Sequence, residues 1–188
     1  HYENESMKEI VEFIDDPVLR RTAQVYSGAG TGANSPFMMG SPGSQDVAGR
    51  VTRYPLRKMD QTPDDDKHRD IHLSLKWMDA MGVDYVMMFP TPMLLLGLHP
   101  VPEYEVAMAR AYNRWLTEKI LPSDPRVKGY VFLPFNSPEA AYEIATEFGD
   151  KEGIIGFLIT SPRYKPVHDN AYMKTYALIE EMGKPLTF

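Results

Sequence analysis

Residues 127–159, VKGYVFLPFNSPEAAYEIATEFGDKEGIIGFLI, read as strand, helix and strand in close succession. The runs Val127 to Leu133 and Ile154 to Ile159 place apolar residues side by side without strict alternation, the pattern of strands covered on both faces. Between them Ser137 and Pro138 open a helix whose Ala141, Ile144, Ala145 and Phe148 form one apolar face, and Gly149 supplies its C-terminal cap. Two such strands joined by a crossover helix lie parallel in one sheet.

The same grammar continues on both sides. Upstream, Thr62, Pro63, Asp64 and Asp65 combine a hydroxyl N-cap, a first-turn proline and first-turn acids, predicting a helix to about Met81. Gly82 ends it, and Val83 to Phe89 (VDYVMMF) reads as a buried strand. A helix with Met108, Tyr112, Trp115 and Leu116 at helical spacing starts near Pro102 and stops at Leu121, because Pro122 cannot continue it. Downstream, a helix from about Ala171 to Met182 closes at Gly183, and Pro185 to Phe188 starts another strand. Three complete helix-then-strand units and part of a fourth predict an α/β fold.

At the front, about Ser6 to Ile14 reads as a helix that continues irregularly past Pro17. Residues 27–61 then form a long stretch rich in Gly, Ser and Pro, beginning with SGAGTGAN (Ser27 to Asn34). A loop of that length is functional or disordered, and a barrel enzyme places it over its active-site face. It lacks the Lys-Ser/Thr ending of a phosphate-binding P-loop.

Composition bounds the rest. The 188 residues are 43% hydrophobic and 24% charged, the balance of a folded protein, and the net charge is −6 with no Lys/Arg cluster, which argues against a nucleic-acid partner. With no cysteine there is no disulfide, thiolate ligand or thiol nucleophile, so any metal site must use His, Asp, Glu or carbonyl groups. Prolines at 90 and 92 and Gly97 interrupt the longest apolar run, so no membrane span is expected. A cytoplasmic location is expected. Met93 to Leu98 (MLLLGL) is an apolar loop suited to a substrate pocket, a subunit contact in a homo-oligomer, or the core.

Candidate chemistry is sparse. His68 and His72, four apart on a predicted helix, can share a metal, but the companion glutamate of a zinc helix is missing, and a solvated or capping role is the plainer expectation. Parallel sheets bind ligands where their strands end. Those ends carry Pro90 and Thr91, then Pro134, Phe135 and Asn136, then Thr160 and Ser161, polar rather than acidic or basic, and suited to turns as well as to binding. Arg50, Arg53 and Arg57 lie in the segment that would cross such a mouth, where one could grip a carboxylate or pair with Asp60 to Asp66.

His1, Tyr2 and Glu3 resemble the tail of the Asp-x-His motif on the first strand of the metal-dependent amidohydrolase 2 family, which is related to aminocarboxymuconate semialdehyde decarboxylase. RDIHLSLKWMDAMGVDYVMMFP (Arg69 to Pro90), ARAYNRW (Ala109 to Trp115), Arg126 to Pro134 with Pro138 to Glu143, and GKPLTF (Gly183 to Phe188) resemble later segments of that family in the same order. The resemblance implies a (β/α)₈ TIM barrel, of which this chain is the N-terminal part, roughly strands 2 to 5 with their helices, since a whole barrel needs ~250 residues. It implies one divalent metal ion, zinc or manganese, with His1 as a ligand and further ligands on the first, fifth and eighth strands that have no counterpart here. It implies a decarboxylase or hydrolase of small carboxylated, aromatic or unsaturated substrates. Arg53, Thr91, Asn136 and Thr160 form the expected substrate-binding set. A non-catalytic α/β module that binds a ligand or partner is the alternative, and the chain alone is expected to be inactive.

Overall fold

The computed structural model describes residues 7–28, 61–90 and 93–188. They form helices α1 (Met7–Glu12), α2 (Pro17–Gly28), α3 (Arg69–Met81), α4 (Pro102–Trp115), α5 (Pro138–Phe148) and α6 (Met173–Glu181), with strands β1 (Val86–Met88), β2 (Val127–Phe132), β3 (Ile154–Leu158) and β4 (Leu186–Thr187). The strands make one parallel sheet whose spatial order is the chain order, β1-β2-β3-β4. Because β-crossover-β connections are right-handed, a sheet that never reverses its order carries all its crossovers on one face. Helices α4, α5 and α6 accordingly pack on one another in succession, and α1 packs on α4.

The strand residues divide accordingly. Val127, Gly129 and Val131 point at the helices and are buried; a methyl group on Gly129 would come within 2.8 Å of Leu116 Cδ2. On the opposite face Tyr130 lies over Gly156, where a Cβ would meet its ring at 2.9 Å, and packs at a tilt against Phe89 with ring centroids 5.0 Å apart. The Lys128 ammonium rests over the Tyr85 ring on that face, and Met87 stays 44% exposed. One side of the sheet is therefore a packed core; on the other, Phe132 and Leu158 are buried toward the strand ends, while Tyr85 and Met87 near the strand starts are exposed.

The α5 stripe is placed as its periodicity predicts, with Ala141, Ile144, Ala145 and Phe148 all buried. Several boundaries move for identifiable reasons. The upstream helix begins at Arg69 instead of Thr62, because the Asp65 carboxylate accepts the Lys67 backbone N–H (2.9 Å), a local turn that competes with helix. The strand after it starts three residues later than expected, at Val86, because Gly82 adopts φ 67° and the Val83 N–H returns to the Met78 carbonyl. Gly149 caps α5 in the right-handed region (φ −58°), and its smallness serves close packing instead, since a Cβ there would sit 2.6 Å from Met182 Sδ.

The run to Leu121 is not continuous α-helix. After Trp115 the chain makes a π turn, Leu116–Ile120, and a 3-10 turn, Leu121–Ser123. At this turn the Asn113 carbonyl accepts the Leu116 N–H and also the Thr117 hydroxyl, at 2.8 Å. Met93 and Leu96 join the core while Leu94 and Leu98 remain partly exposed, so the apolar loop is half core and half surface.

Candidate functional site

The strand ends and the helix starts that follow them lie along one edge of the sheet, and Asn136 stands at its centre. Its Nδ2 donates to the Gly97 carbonyl (2.7 Å), in the loop after β1, and to Glu105 Oε2 (2.9 Å), in the first turn of α4. Its Oδ1 accepts the backbone N–H groups of Tyr164 (2.8 Å) and Lys165 (3.3 Å), in the loop after β3. The Tyr164 hydroxyl donates to the Leu98 carbonyl at 2.7 Å, tying the first and third loops directly.

Thr160 lies beside this junction and is 1% exposed. Its hydroxyl donates to the Pro162 carbonyl (3.0 Å), and its carbonyl accepts from Arg163 Nη1 (2.6 Å). Gly97 lets the loops meet, because a methyl group there would overlap the Thr160 hydroxyl and the Pro162 carbonyl. Asn136 and Thr160 thus both lie beside Gly97, the Asn136 side chain bonded to the loops after β1 and β3 and to Glu105, and Thr160 bonded within its own loop. Arg53 and Thr91 of that set, the metal-ligand candidate His1, and Arg50 and Arg57 lie outside the described residues.

Glu105 and Tyr172 were not singled out by sequence. Glu105 is 1% exposed, and its Oε1 has no hydrogen-bond partner. Burial pushes its carboxyl up to about 7, although the Asn136 side chain and the backbone N–H groups of Asn136 and Phe135 pull the other way. Tyr172 stacks face to face on Phe135 at 3.9 Å and donates its hydroxyl to the Phe135 carbonyl; burial and the nearby Glu105 charge raise its phenol. Arg163 Nε is also buried without a partner. The signal for Glu105 is an acid on an apolar stripe, one helical turn before Met108 and Ala109 and two before Tyr112, all of them buried.

His68 and His72 do not share a ligand. His68 Nε2 meets both oxygens of Glu9 (3.0 and 3.2 Å), while His72 Nε2 meets Asp65 Oδ1 (2.7 Å). Trp115 Nε1 donates to the same Glu9 (3.1 Å), so this carboxylate fastens α1 to the start of α3 and to α4. Among the described residues no three His, Asp or Glu side chains come together to hold a metal ion. Two surface pockets, of about 420 Å³ beside Phe13, Pro102 and Val106 and about 560 Å³ beside Gly82, Tyr85 and Arg126, include neither Glu105, Asn136 nor Thr160. No helix among the described residues is long and apolar enough to cross a membrane.

Comparison with protein-family models and with curated proteins finds no match for this chain. The family is therefore not shown, and what stands is a four-stranded parallel α/β fold whose three loops meet around Asn136 at the ends of its strands.

Proposed function

We propose that these residues are the N-terminal portion of a (β/α)₈ barrel enzyme of the amidohydrolase 2 type, a metal-dependent decarboxylase or hydrolase of small carboxylated substrates. One observation carries the reading beyond the sequence resemblance: the strand order never reverses, and the crossover helices α4, α5 and α6 pack side by side in succession. A doubly wound sheet reverses its order and carries helices on both faces, whereas a barrel adds each strand beside the last and keeps every helix outside. In a closed barrel Met87, Lys128 and Tyr130 face the interior, and the Asn136 junction sits at the mouth.

The described residues do not by themselves fit the implied zinc or manganese, since they gather no three ligands. Their part is to position the mouth: Asn136 and Thr160 fix the loops against which a carboxylated substrate, gripped by Arg53 and bordered by Thr91, would lie. A non-catalytic binding module is favoured by one contrary observation, namely that the Asn136 and Thr160 side chains already spend their hydrogen bonds on main chain and Glu105.

The deciding experiment measures the metal content of the protein expressed from its complete reading frame, with turnover of aromatic and unsaturated carboxylates. Near-stoichiometric zinc or manganese that is lost in His1→Ala, together with release of carbon dioxide or hydrolysis product, supports the enzyme. Metal well below one ion per polypeptide and no turnover favours the binding module.

A further inference from the structure

Three loops converge on the Asn136 side chain, and directly beneath it lies a carboxyl with one satisfied oxygen and one bare one. We propose that Glu105 is a proton-controlled latch for this junction: neutral, it lets the Asn136 node close over it, and ionised, it loosens the node and releases the loop after β3.

The physical reason is desolvation. A buried carboxylate needs partners for both oxygens, and Glu105 Oε1 has none. The side chain bonded to it, Asn136, also holds the Tyr164 and Lys165 backbone, so opening that node is the movement that would give the charge new partners. Burial at 1% exposure favours the proton, whereas the Asn136 amide and the Phe135 and Asn136 backbone N–H groups favour the charge. These opposed influences set the change close to neutral pH.

The other titratable or charged groups around it come from each neighbouring element. Tyr172, from the turn before α6, feels the Glu105 charge and also those of Asp169 and Arg163. Lys165 follows Tyr164 in the released loop. His99, from the loop before α4, stacks at 4.3 Å on Tyr104, the residue preceding Glu105, and burial lowers its pKa. Of these, His99 is the competitor in this pH range, and a variant separates the two.

The sign follows from linkage. A carboxyl whose proton is held more tightly in the closed state than in the open one stabilises the closed state fully at low pH and loses that contribution as pH rises through the closed-state value. The test is amide hydrogen exchange at Tyr164 and Lys165 across about pH 5.5 to 8.5, corrected for intrinsic base catalysis, beside ¹³C-carboxyl titration of Glu105. In the wild type, protection at both amides falls roughly tenfold between about pH 5.5 and 7.5 and then levels off. Glu105→Gln removes the slope and holds the protected level throughout, while His99→Gln keeps it. Flat wild-type protection, an unchanged slope in Glu105→Gln, or a Glu105 carboxyl that titrates at its ordinary 4.5 overturns the latch. Because the carboxyl titration uses only the wild type, failure of a variant to fold leaves the test intact. None of these readouts requires a metal or a turnover assay.

Discussion

Asn113 shows how one side chain can finish a sheet. It sits wholly buried on α4, donates from Nδ2 to the Phe132 carbonyl (2.9 Å), and accepts the Phe132 N–H on Oδ1 (2.9 Å), as a neighbouring strand would. The partner strand is short: β1 pairs only as far as Gly129, whereas β2 runs on to Phe132, so that edge would otherwise leave two buried backbone groups bare. Asn113→Ala should cost about 1–3 kcal/mol for each group left unsatisfied, read as a lower urea midpoint at unchanged slope. Asn113→Asp keeps the acceptor but sets a carboxylate against the Phe132 carbonyl, so its stability should fall further as pH rises and that buried acid ionises. Gly97→Ala acts in the loops just beyond the same strand ends, where the new methyl displaces Thr160 and Pro162 and should lower the exchange protection of Tyr164 and Lys165 at every pH.

Between helices, the Glu9 carboxylate holds α1 against α3 and α4 through His68 and Trp115. The His68 and Trp115 hydrogen bonds, with the His68 charge, outweigh partial burial and lower the Glu9 pKa from its ordinary 4.5. Glu9 therefore contributes stability that is fully present above about 4.5 and is lost as pH falls through the lower folded value. Acid unfolding followed by tryptophan fluorescence should be shallower in Glu9→Gln, which has less to lose on acidification, although that variant starts less stable at neutral pH. An equal acid dependence in both would remove Glu9 from this role. This clamp was hardly legible in the sequence, where Glu9 and His68 are separated by the long segment 27–61; the spacing of His68 and His72 allowed a shared metal but made a solvated or capping role the plainer expectation, and each imidazole pairs with a separate acid. The α5 stripe and the parallel order were legible, because apolar periodicity and helix-strand alternation are local properties of the chain. Glu105 was hidden among the first-turn acids of α4; only its place on the apolar stripe sets it apart from Glu103, which stays exposed.

At the scale of the molecule, the two faces of the sheet are unequally treated, and that inequality has a measurable consequence. Helices cover one face, while the other shows Tyr85 (63% exposed) and Met87 around the partly buried Tyr130, and Phe188 is 79% exposed just past β4. Among the described residues β1 and β4 each pair with a strand on one side only, so the sheet also ends in two edges able to accept further strands. Apolar surface beside open edges favours association, through the hydrophobic effect at the face and backbone hydrogen bonds at the edges. The 188-residue polypeptide alone should therefore sediment as dimers or larger species and enhance the fluorescence of an apolar dye. Met87→Glu is the informative variant: position 87 is in register with Lys128 on the same face, so the new carboxylate gains an opposite charge across the strands while the thioether is removed. Dye binding and the associated fraction should both drop, with the cooperative melt retained. A wild-type chain that is a compact monomer with background dye binding would mean that this face needs no cover, and a barrel interior would no longer explain why aromatic and thioether side chains are placed there.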